Sequence, residues 1–256
     1  MPLDADRLVT YQTQDGVLRL TLNRPEKRNA LNADMIAAFH HALEKGAADE
    51  AARVILILGA GKDFCAGMDL VALDRGNDAS VLEHLNTARQ LADLLLAIRK
   101  HPRPVVAAVH GRALGGGAGI ASAADLILAS STAWIGYPEV KIGFVPAMVA
   151  ALLRRSVSEK RMFELLATGE SIRANDALAI GLINRVFDET DFEANVNAYA
   201  SGLAGKSASA LTLMKSLLYQ TDGMTLEKAI EAGVQMNALS RTTEDAKKGF
   251  AGFLKK

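Results

Sequence analysis

Residues 110–119 read His110-Gly111-Arg112-Ala113-Leu114-Gly115-Gly116-Gly117-Ala118-Gly119. The apolar run at 105–109 predicts a buried strand before this stretch, and the small residues at 120–124 predict a helix after it. Glycines permit positive φ angles and the close approach of a ligand. The amides at a helix N-terminus lack partners within the helix and carry partial positive charge. This order of elements therefore favours a site for an anion, or for an oxygen that becomes one.

The glycine stretch alone leaves three interpretations open. It holds a phosphate, it holds an oxyanion, or it only lets two helices pack closely. No lysine follows at the spacing of the phosphate loop GxxxxGK[ST]. The dinucleotide fingerprint requires a βαβ unit and an acidic residue about 20 residues further on, and the stretch is not a convincing match. The choice among the three depends on the rest of the chain.

Composition excludes several classes of protein. The chain has 256 residues, with 29 basic and 29 acidic side chains, which argues against nucleic acid or an anionic membrane as the main partner. The length suits one large domain, or a domain with an appendage. A single cysteine, Cys65, excludes an intrachain disulfide and fits a reducing compartment. Residues 1–6 do not resemble a signal peptide, and no apolar run reaches the length of a membrane span, so we expect a cytoplasmic protein.

Strand and helix patterns alternate in the first half of the chain. Asp15-Gly16 predicts a hairpin between strands at 8–13 and 17–22. Asn32 predicts the N-cap of a helix, and the apolar run 54–58 predicts a buried strand. From residue 147 onward the pattern is mostly helical. We therefore predict an α/β core, residues 1–195, followed by a helical C-terminal part, residues 196–256.

Two turns of small residues stand out, Ala66-Gly67-Met68 and Gly115-Gly116-Gly117. Each follows a predicted strand and precedes a predicted helix. If the two strands are neighbours, both turns direct amide N–H groups to one point, which is the arrangement of an oxyanion hole. No GxSxG nucleophile motif accompanies them. Polarisation of a carbonyl without a serine nucleophile indicates enolate chemistry.

Four motifs lie in order along the chain: Asn23-Arg24-Pro25 with Asn29-Ala30-Leu31, Phe64-Cys65-Ala66-Gly67-Met68-Asp69-Leu70, Gly111 to Gly117, and Pro138-Glu139-Val140-Lys141-Ile142-Gly143. Together they resemble the crotonase (enoyl-CoA hydratase/isomerase) family over essentially the whole chain. The resemblance implies a spiral of ββα units with a helical C-terminal part that assembles trimers, often paired into hexamers. It also implies an acyl-CoA ligand, with coenzyme A as part of the substrate and no separate cofactor. No cluster has metal-ligand spacing, so no metal is expected.

The resemblance also implies roles for individual residues. Met68 and Gly116 correspond to the two backbone donors of the family's oxyanion hole. The implied substrate contacts are the backbone at Ala66 for adenine, Gly115 beside the oxyanion donor, and the basic residues Lys27, Arg28, Lys62 and Lys256 for coenzyme A.

The acid positions are the most informative departure from the family. Its hydratases carry two glutamates, which correspond here to Gly119 and Glu139. Hydration of a conjugated thioester requires a water to be held and deprotonated while C2 is protonated, and two carboxylates divide that work. Migration of a double bond requires one base that takes a proton and returns it. Glu139 as a lone proton shuttle therefore favours isomerisation, although another group that held the water would restore hydration.

Other interpretations remain open at this stage. The missing acid also fits a non-catalytic acyl-CoA-binding subunit, or a decarboxylase of a branched acyl-CoA. Asp69 is interpreted as a helix cap rather than a second acid, and Cys65 as a packed residue. His110 is expected to form a structural hydrogen bond, and His84 to lie on the helix that lines the acyl pocket. Chain length and branching of the acyl group are not specified by any motif.

Overall fold

The computed structural model describes residues 5–74 and 79–253, so the predicted coenzyme A contact Lys256 lies outside the described residues. The strands are β1 Val9–Gln14, β2 Val17–Leu22, β3 Val54–Gly59, β4 Val105–Val109, β5 Arg112–Leu114, β6 Leu126–Ser130, β7 Trp134–Gly136, β8 Ser171–Arg173 and β9 Arg185–Phe187. The helices are α1 Ala5–Leu8, α2 Ala33–Ala48, α3 Leu70–Asp74, α4 Val81–Lys100, α5 Gly116–Ala123, α6 Ala147–Leu153, α7 Glu159–Thr168, α8 Ala174–Ala179, α9 Phe192–Ala204, α10 Ala208–Gln220, α11 Leu226–Thr242 and α12 Glu244–Phe253. Short 3-10 helices lie at Pro25–Lys27, Pro138–Ile142 and Glu189–Asp191.

The strands form two sheets. The larger sheet has the order β1-β2-β3-β4-β6-β9, and only its β1–β2 hairpin is antiparallel. Asp15 and Gly16 have φ angles of 51° and 77° in that hairpin turn, as the Asp-Gly pair predicts. The smaller sheet has the order β5-β7-β8. A parallel sheet with helices on both faces confirms the α/β class predicted from the sequence.

The central strands are buried on both faces, so their residues alternate between two apolar clusters. Ile55 and Ile57 of β3 face the larger cluster with α2 and α4, whereas Val54 and Leu56 face the smaller cluster with α9. Both clusters exclude water from the sheet, which explains why β3 reads as an unbroken apolar run. The segments that lead into the two glycine turns are neighbours, because β3 pairs with β4 and, further along both segments, Cys65 pairs with Ala113 of β5.

Helix α5 lies entirely inside the protein, and all eight of its residues are buried. Its glycines, alanines and serine allow the helix axis to come close to its neighbours. A Cβ atom on Gly117 would lie 2.4 Å from the carbonyl oxygen of Cys65, so only glycine permits this contact. The small residues thus bring the N-terminus of α5 against the segment that contains Met68.

The C-terminal region differs in two respects from the simple helical pattern. The boundary predicted between residues 195 and 196 falls inside α9, which packs on the sheet, and the division into two parts stays a prediction. Strands β8 and β9 lie in a region predicted to be mostly helical. They have three residues each, too few to show alternation, and form because β7 and β6 offer edges for pairing.

Within the described ranges, no helix combines the length and the apolar character that crossing a membrane requires.

Candidate active site

The glycine stretch forms a turn between β5 and α5. Gly115 has a φ angle of 50°, which is in the left-handed region that glycine tolerates. Its amide donates a hydrogen bond of 2.9 Å to the carbonyl oxygen of Gly136. Gly116 begins α5, so its N–H belongs to the first turn and has no acceptor within the helix. This amide is available to a carbonyl oxygen of a ligand at the positive end of the helix.

The segment that contains Met68 lies between Leu31 on one side and Gly116 on the other. Leu31 donates from its amide to the Gly67 carbonyl at 2.7 Å and accepts from the Asp69 amide at 2.8 Å. Because amides of an extended segment alternate in direction, the Met68 N–H points away from Leu31. The Met68 Cγ atom lies 3.7 Å from a Cβ built on Gly116, so the two residues are neighbours. The structure thus brings together the two predicted oxyanion donors.

An ion pair fixes the end of this segment. Arg24 Nη1 lies 2.9 Å from Asp69 Oδ2 and donates to the Ala30 carbonyl at 3.0 Å. Burial raises the pKa of Asp69, but the hydrogen bond from Arg24 and those from backbone amides outweigh burial, so the net pKa is lowered. Asp69 Oδ1 also accepts from the Val71 amide at 3.1 Å, at the start of α3. The capping role predicted for Asp69 agrees with this contact, and the pairing with Arg24 was not predicted.

Glu139 lies on the 3-10 helix Pro138–Ile142, beside the glycine turn. Its Oε1 atom is 3.0 Å from a Cβ built on Gly115. Its Oε2 atom is buried and has no hydrogen-bond partner among the described residues. Burial raises the pKa of Glu139 above its ordinary value, against a smaller lowering by a backbone hydrogen bond. A carboxylate with one unpartnered oxygen and a raised pKa is suited to accept a proton.

Apolar side chains lie against the position of the second family acid. A Cβ on Gly119 would lie 3.0 Å from Val149 Cγ2 and 3.6 Å from Leu95 Cδ2. Val149 is on α6 and Leu95 on α4, and both side chains are buried. A Cβ at position 119 would press against the Val149 methyl group, and the two side chains form an apolar wall beside this position. The sequence pattern identified a helix near Val149, but it gave no sign of this contact.

Two adjacent loops hold the predicted basic residues. Lys27, Arg28 and Lys62 are all exposed. The Ala66 amide donates to the Arg28 carbonyl at 2.9 Å, which joins the predicted adenine contact to the first loop. A Cβ on Gly61 would lie 2.8 Å from Pro25 Cβ, which places the second loop against the first. Three of the four basic contacts predicted for coenzyme A thus lie on these two adjoining loops, which together are called the rim.

A buried acid that sequence reasoning missed supports this rim. Asp63 accepts two hydrogen bonds from the Arg112 side chain, at 2.8 and 2.9 Å, and Arg28 Nε lies 4.0 Å from its Oδ2. Burial raises the pKa of Asp63, but Arg112 lowers it by more. Asn29, at a φ angle of 56°, donates to the carbonyls of Ala60, Asp63 and Phe64 and joins the same loops.

The remaining reactive side chains have structural roles or lie apart. Cys65 is fully buried, its Sγ donates to the Asn29 carbonyl at 3.0 Å, and burial raises the pKa of its thiol to about 12. His110 Nε2 lies 3.0 Å from the Gly61 carbonyl, in agreement with the structural hydrogen bond predicted for it. His84 is exposed on α4. In residues 5–74 and 79–253, no group of three His, Cys, Asp or Glu side chains is placed to hold a metal ion.

Comparisons with known proteins agree on one family. The family model described as enoyl-CoA hydratase/isomerase matches residues 12–256. A Thermus thermophilus protein provisionally named an enoyl-CoA hydratase is 39% identical over 92% of this chain and 93% of its own length. The 2,3-dehydroadipyl-CoA hydratase of Escherichia coli is 35% identical over 95% of this chain and 94% of its own length.

Solved structures give the same result. The crystal structure of an enoyl-CoA hydratase from Mycobacterium smegmatis has a TM-score of 0.92 and 32% identity, and the match covers 97% of this chain and 96% of that one. Human enoyl-CoA hydratase domain-containing protein 3 has a TM-score of 0.93 and 27% identity over 97% of this chain and 98% of its own. The crotonase-type fold expected from the motifs is thereby confirmed. The chain belongs to the enoyl-CoA hydratase/isomerase family.

Proposed function

We propose that this protein is an enzyme that isomerises 3-enoyl-CoA thioesters to the conjugated 2-enoyl-CoA, with Glu139 as its single base. The observation that supports this choice is the pairing of one carboxylate beside Gly115 with the apolar wall beside Gly119. The enolate requires two donors to the thioester oxygen, for which the amides of Met68 and Gly116 are suited. No residue of the wall offers a second carboxylate.

The reaction is a transfer of one proton between two carbons. Glu139 takes a proton from C2 of the substrate, and the C–H electron pair moves toward the thioester carbonyl. The resulting dienolate has its negative charge on the oxygen, which accepts hydrogen bonds from the amides of Met68 and Gly116. Glu139 then returns the proton to C4, and the double bond lies between C2 and C3. No atom enters or leaves, so the reaction needs no cofactor and no metal.

Hydration requires a second polar group that holds water, and the described site offers little for that purpose. The nearest hydroxyl groups on α5 and beside Glu139 are those of Ser122 and Tyr137, which are buried and bonded to each other at 3.1 Å. Val149 and Leu95 occupy the space beside Gly119. An apolar wall excludes water from the dienolate, which favours return of the proton to carbon.

Binding of coenzyme A is assigned to the rim described above. The exposed cations Lys27, Arg28 and Lys62 would pair with its phosphates, and the Ala66 backbone with its adenine. Lys256 is retained as a further contact by resemblance alone. A compartment with a reducing environment fits the one buried thiol, Cys65.

We further propose that the protein is a homotrimer or hexamer. Helices α10 and α11 leave large apolar side chains exposed in the single chain, and these support association with further copies. The most exposed are Met214, Leu218, Leu226, Ile230, Val234 and Leu239, each at least 51% accessible. Light scattering of the purified protein is expected to give three or six times the chain mass of 27.2 kDa, and a monomer would contradict this assignment.

Matched 2-enoyl-CoA and 3-enoyl-CoA substrates test the proposed reaction. We expect the absorbance of the conjugated thioester to rise with the 3-enoyl substrate and to stay constant with the 2-enoyl substrate. A fall with the 2-enoyl substrate would establish hydration and contradict the isomerase assignment. Affinity for both thioesters without turnover, and without exchange of C2 deuterium, would indicate the non-catalytic binding subunit instead. Loss of CO2 from a carboxylated branched acyl-CoA would indicate the decarboxylase.

A further inference from the structure

A buried hydroxyl pair connects the segment that bears Glu139 to helix α5. Tyr137 is completely buried and Ser122 is 6% exposed. Ser122 Oγ donates to the Ala118 carbonyl at 2.8 Å, and the Tyr137 hydroxyl lies 3.1 Å from Ser122 Oγ. Because the Ser122 proton is used by Ala118, the Tyr137 hydroxyl is the donor to Ser122. The two hydroxyls thus form a directed chain that ends on the backbone of α5.

The segment from Gly136 to Glu139 is attached to α5 at two points. At the helix start, the Gly136 carbonyl accepts from the Gly115 amide at 2.9 Å. Near the helix end, Tyr137 bonds to Ser122, which lies about 10 Å further along the axis. Glu139 follows two residues later, and its carboxylate returns to the helix start at Gly115. The orientation of this segment relative to α5 therefore sets the position of the base relative to the Gly116 amide.

Packing alone does not account for the hydroxyl of Tyr137. Phenylalanine would fill the same space without burying a polar group, and a buried hydroxyl is unfavourable unless it is paired. The hydrogen bond to Ser122 has a direction, whereas an apolar contact does not, so it restricts the ring to one height along α5. A restriction of this kind affects the site because small displacements of a base reduce catalysis strongly.

We propose that Tyr137 and Ser122 are positioning residues. They hold the Glu139 carboxylate at a fixed position relative to the Gly116 amide, the proposed oxyanion donor of α5. The inference rests on the role of Glu139 as base in the proposed function. Neither hydroxyl touches the substrate, so both act through the backbone of residues 136–139. Their loss is expected to slow proton transfer without weakening the binding of coenzyme A.

Tyr137→Phe tests this role with little risk to folding, because Ser122 keeps its bond to the Ala118 carbonyl. We expect kcat to fall about 10-fold, with KM unchanged within about twofold. Exchange of C2 deuterium from the bound thioester should fall by the same factor, since the displaced base slows that step. Tyr219→Phe is the matched control, because it also removes a tyrosine hydroxyl, which there is partly buried and donates to the Asp125 carboxylate rather than to α5. The control is expected to retain the wild-type kcat.

A double-mutant cycle separates positioning from packing. We expect Tyr137→Phe and Ser122→Ala to be non-additive, so that the double variant is no slower than Ser122→Ala alone. A kcat of Tyr137→Phe within twofold of wild type would overturn the inference, as would an equal loss in Tyr219→Phe or additive effects in the cycle.

Failure of the proposed function has a different signature. If the wild type hydrates 2-enoyl-CoA and Tyr137→Phe still slows that reaction, the isomerase assignment fails while the positioning role stands. If wild-type protein exchanges no C2 deuterium, Glu139 is not a base and both proposals are overturned. If the wild type isomerises and Tyr137→Phe does so equally fast, only the positioning role fails.

Discussion

Glu139→Gln is expected to lower kcat for isomerisation of a 3-enoyl-CoA by about 1,000-fold, within the range observed for general bases. Glutamine has nearly the same shape, but its amide does not accept a proton at the pH of the reaction. The amides of Met68 and Gly116 belong to other segments and keep their positions, so the affinity for an acyl-CoA should change by less than about twofold.

Steady-state kinetics and calorimetric binding of a saturated acyl-CoA measure the two quantities separately. Glu50→Gln is the matched control, since it neutralises an exposed carboxylate in the turn after α2. Retention of more than about a tenth of wild-type kcat in Glu139→Gln would show that another group moves the proton.

The raised pKa of Glu139 also predicts how the activity of the wild type, and the stability of this variant relative to it, change with pH. A base must be ionised, so wild-type kcat/KM should decline on acidification at a pH above the ordinary glutamate value of 4.5. Since burial disfavours the ionised form, the folded protein loses stability as pH rises from 4.5 through the raised pKa. Glu139→Gln should therefore have a higher Tm than wild type near pH 7, and the same Tm near pH 4. Equal Tm values at both pH values would indicate that the carboxylate is solvated.

Lys215→Ala is expected to destabilise the protein by about 3–5 kcal/mol, because it removes the cation of an ion pair whose side chains are only 8% and 16% exposed. Lys215 is 8% exposed, and its Nζ lies 2.7 Å from Asp125 Oδ2 and 3.1 Å from the Arg103 carbonyl. Burial lowers the pKa of Lys215, and the nearby Asp125 opposes this change. Asp125 also accepts from the Val105 amide at 2.7 Å, at the start of β4. The pair therefore joins α10 to the sheet.

Thermal unfolding measures this effect, with an expected fall in Tm of about 10 °C for a chain of this size. Lys247→Ala is the control, since its pair with Glu244 has side chains 58% and 72% exposed. Exposed pairs contribute about 1 kcal/mol or less, so this variant should unfold within about 3 °C of wild type. Equal losses in the two variants would show that Lys215 stabilises α10 only as a helical residue.

The features that were predictable from sequence are those set by local patterns. The Asp15-Gly16 hairpin formed as predicted, and Asn32 caps α2 through a bond of 2.9 Å to the Met35 amide. The two glycine turns lie together because β3 pairs with β4 and Cys65 pairs with Ala113, which meets the condition that the sequence pattern set for a common site. These signals depend on residues that are close in sequence, or on the burial of whole strands.

The features that were not predictable join residues that are distant in sequence. Lys215 meets Asp125 across 90 residues, and each alone reads as an ordinary charged side chain. Strand β9 forms on the edge of β6 and has no pattern of its own. The contact of Val149 with Gly119 depends on the angle at which α6 crosses α5, and that angle is set by tertiary packing.

The contact between Gly119 and Val149 also constrains how this protein can evolve. A mutation that introduces a carboxylate at position 119 alone brings its Cβ atom to 3.0 Å from the Cγ2 methyl group of Val149. A mutation that shortens Val149 alone leaves a cavity, which costs about 1 kcal/mol or more and offers no new group. Acquisition of a second acid at position 119 thus requires the Val149 side chain to give way, either by a small shift or by a second mutation. On a fitness landscape, the height of the step from single-base to two-acid chemistry is therefore set by how readily Val149 yields.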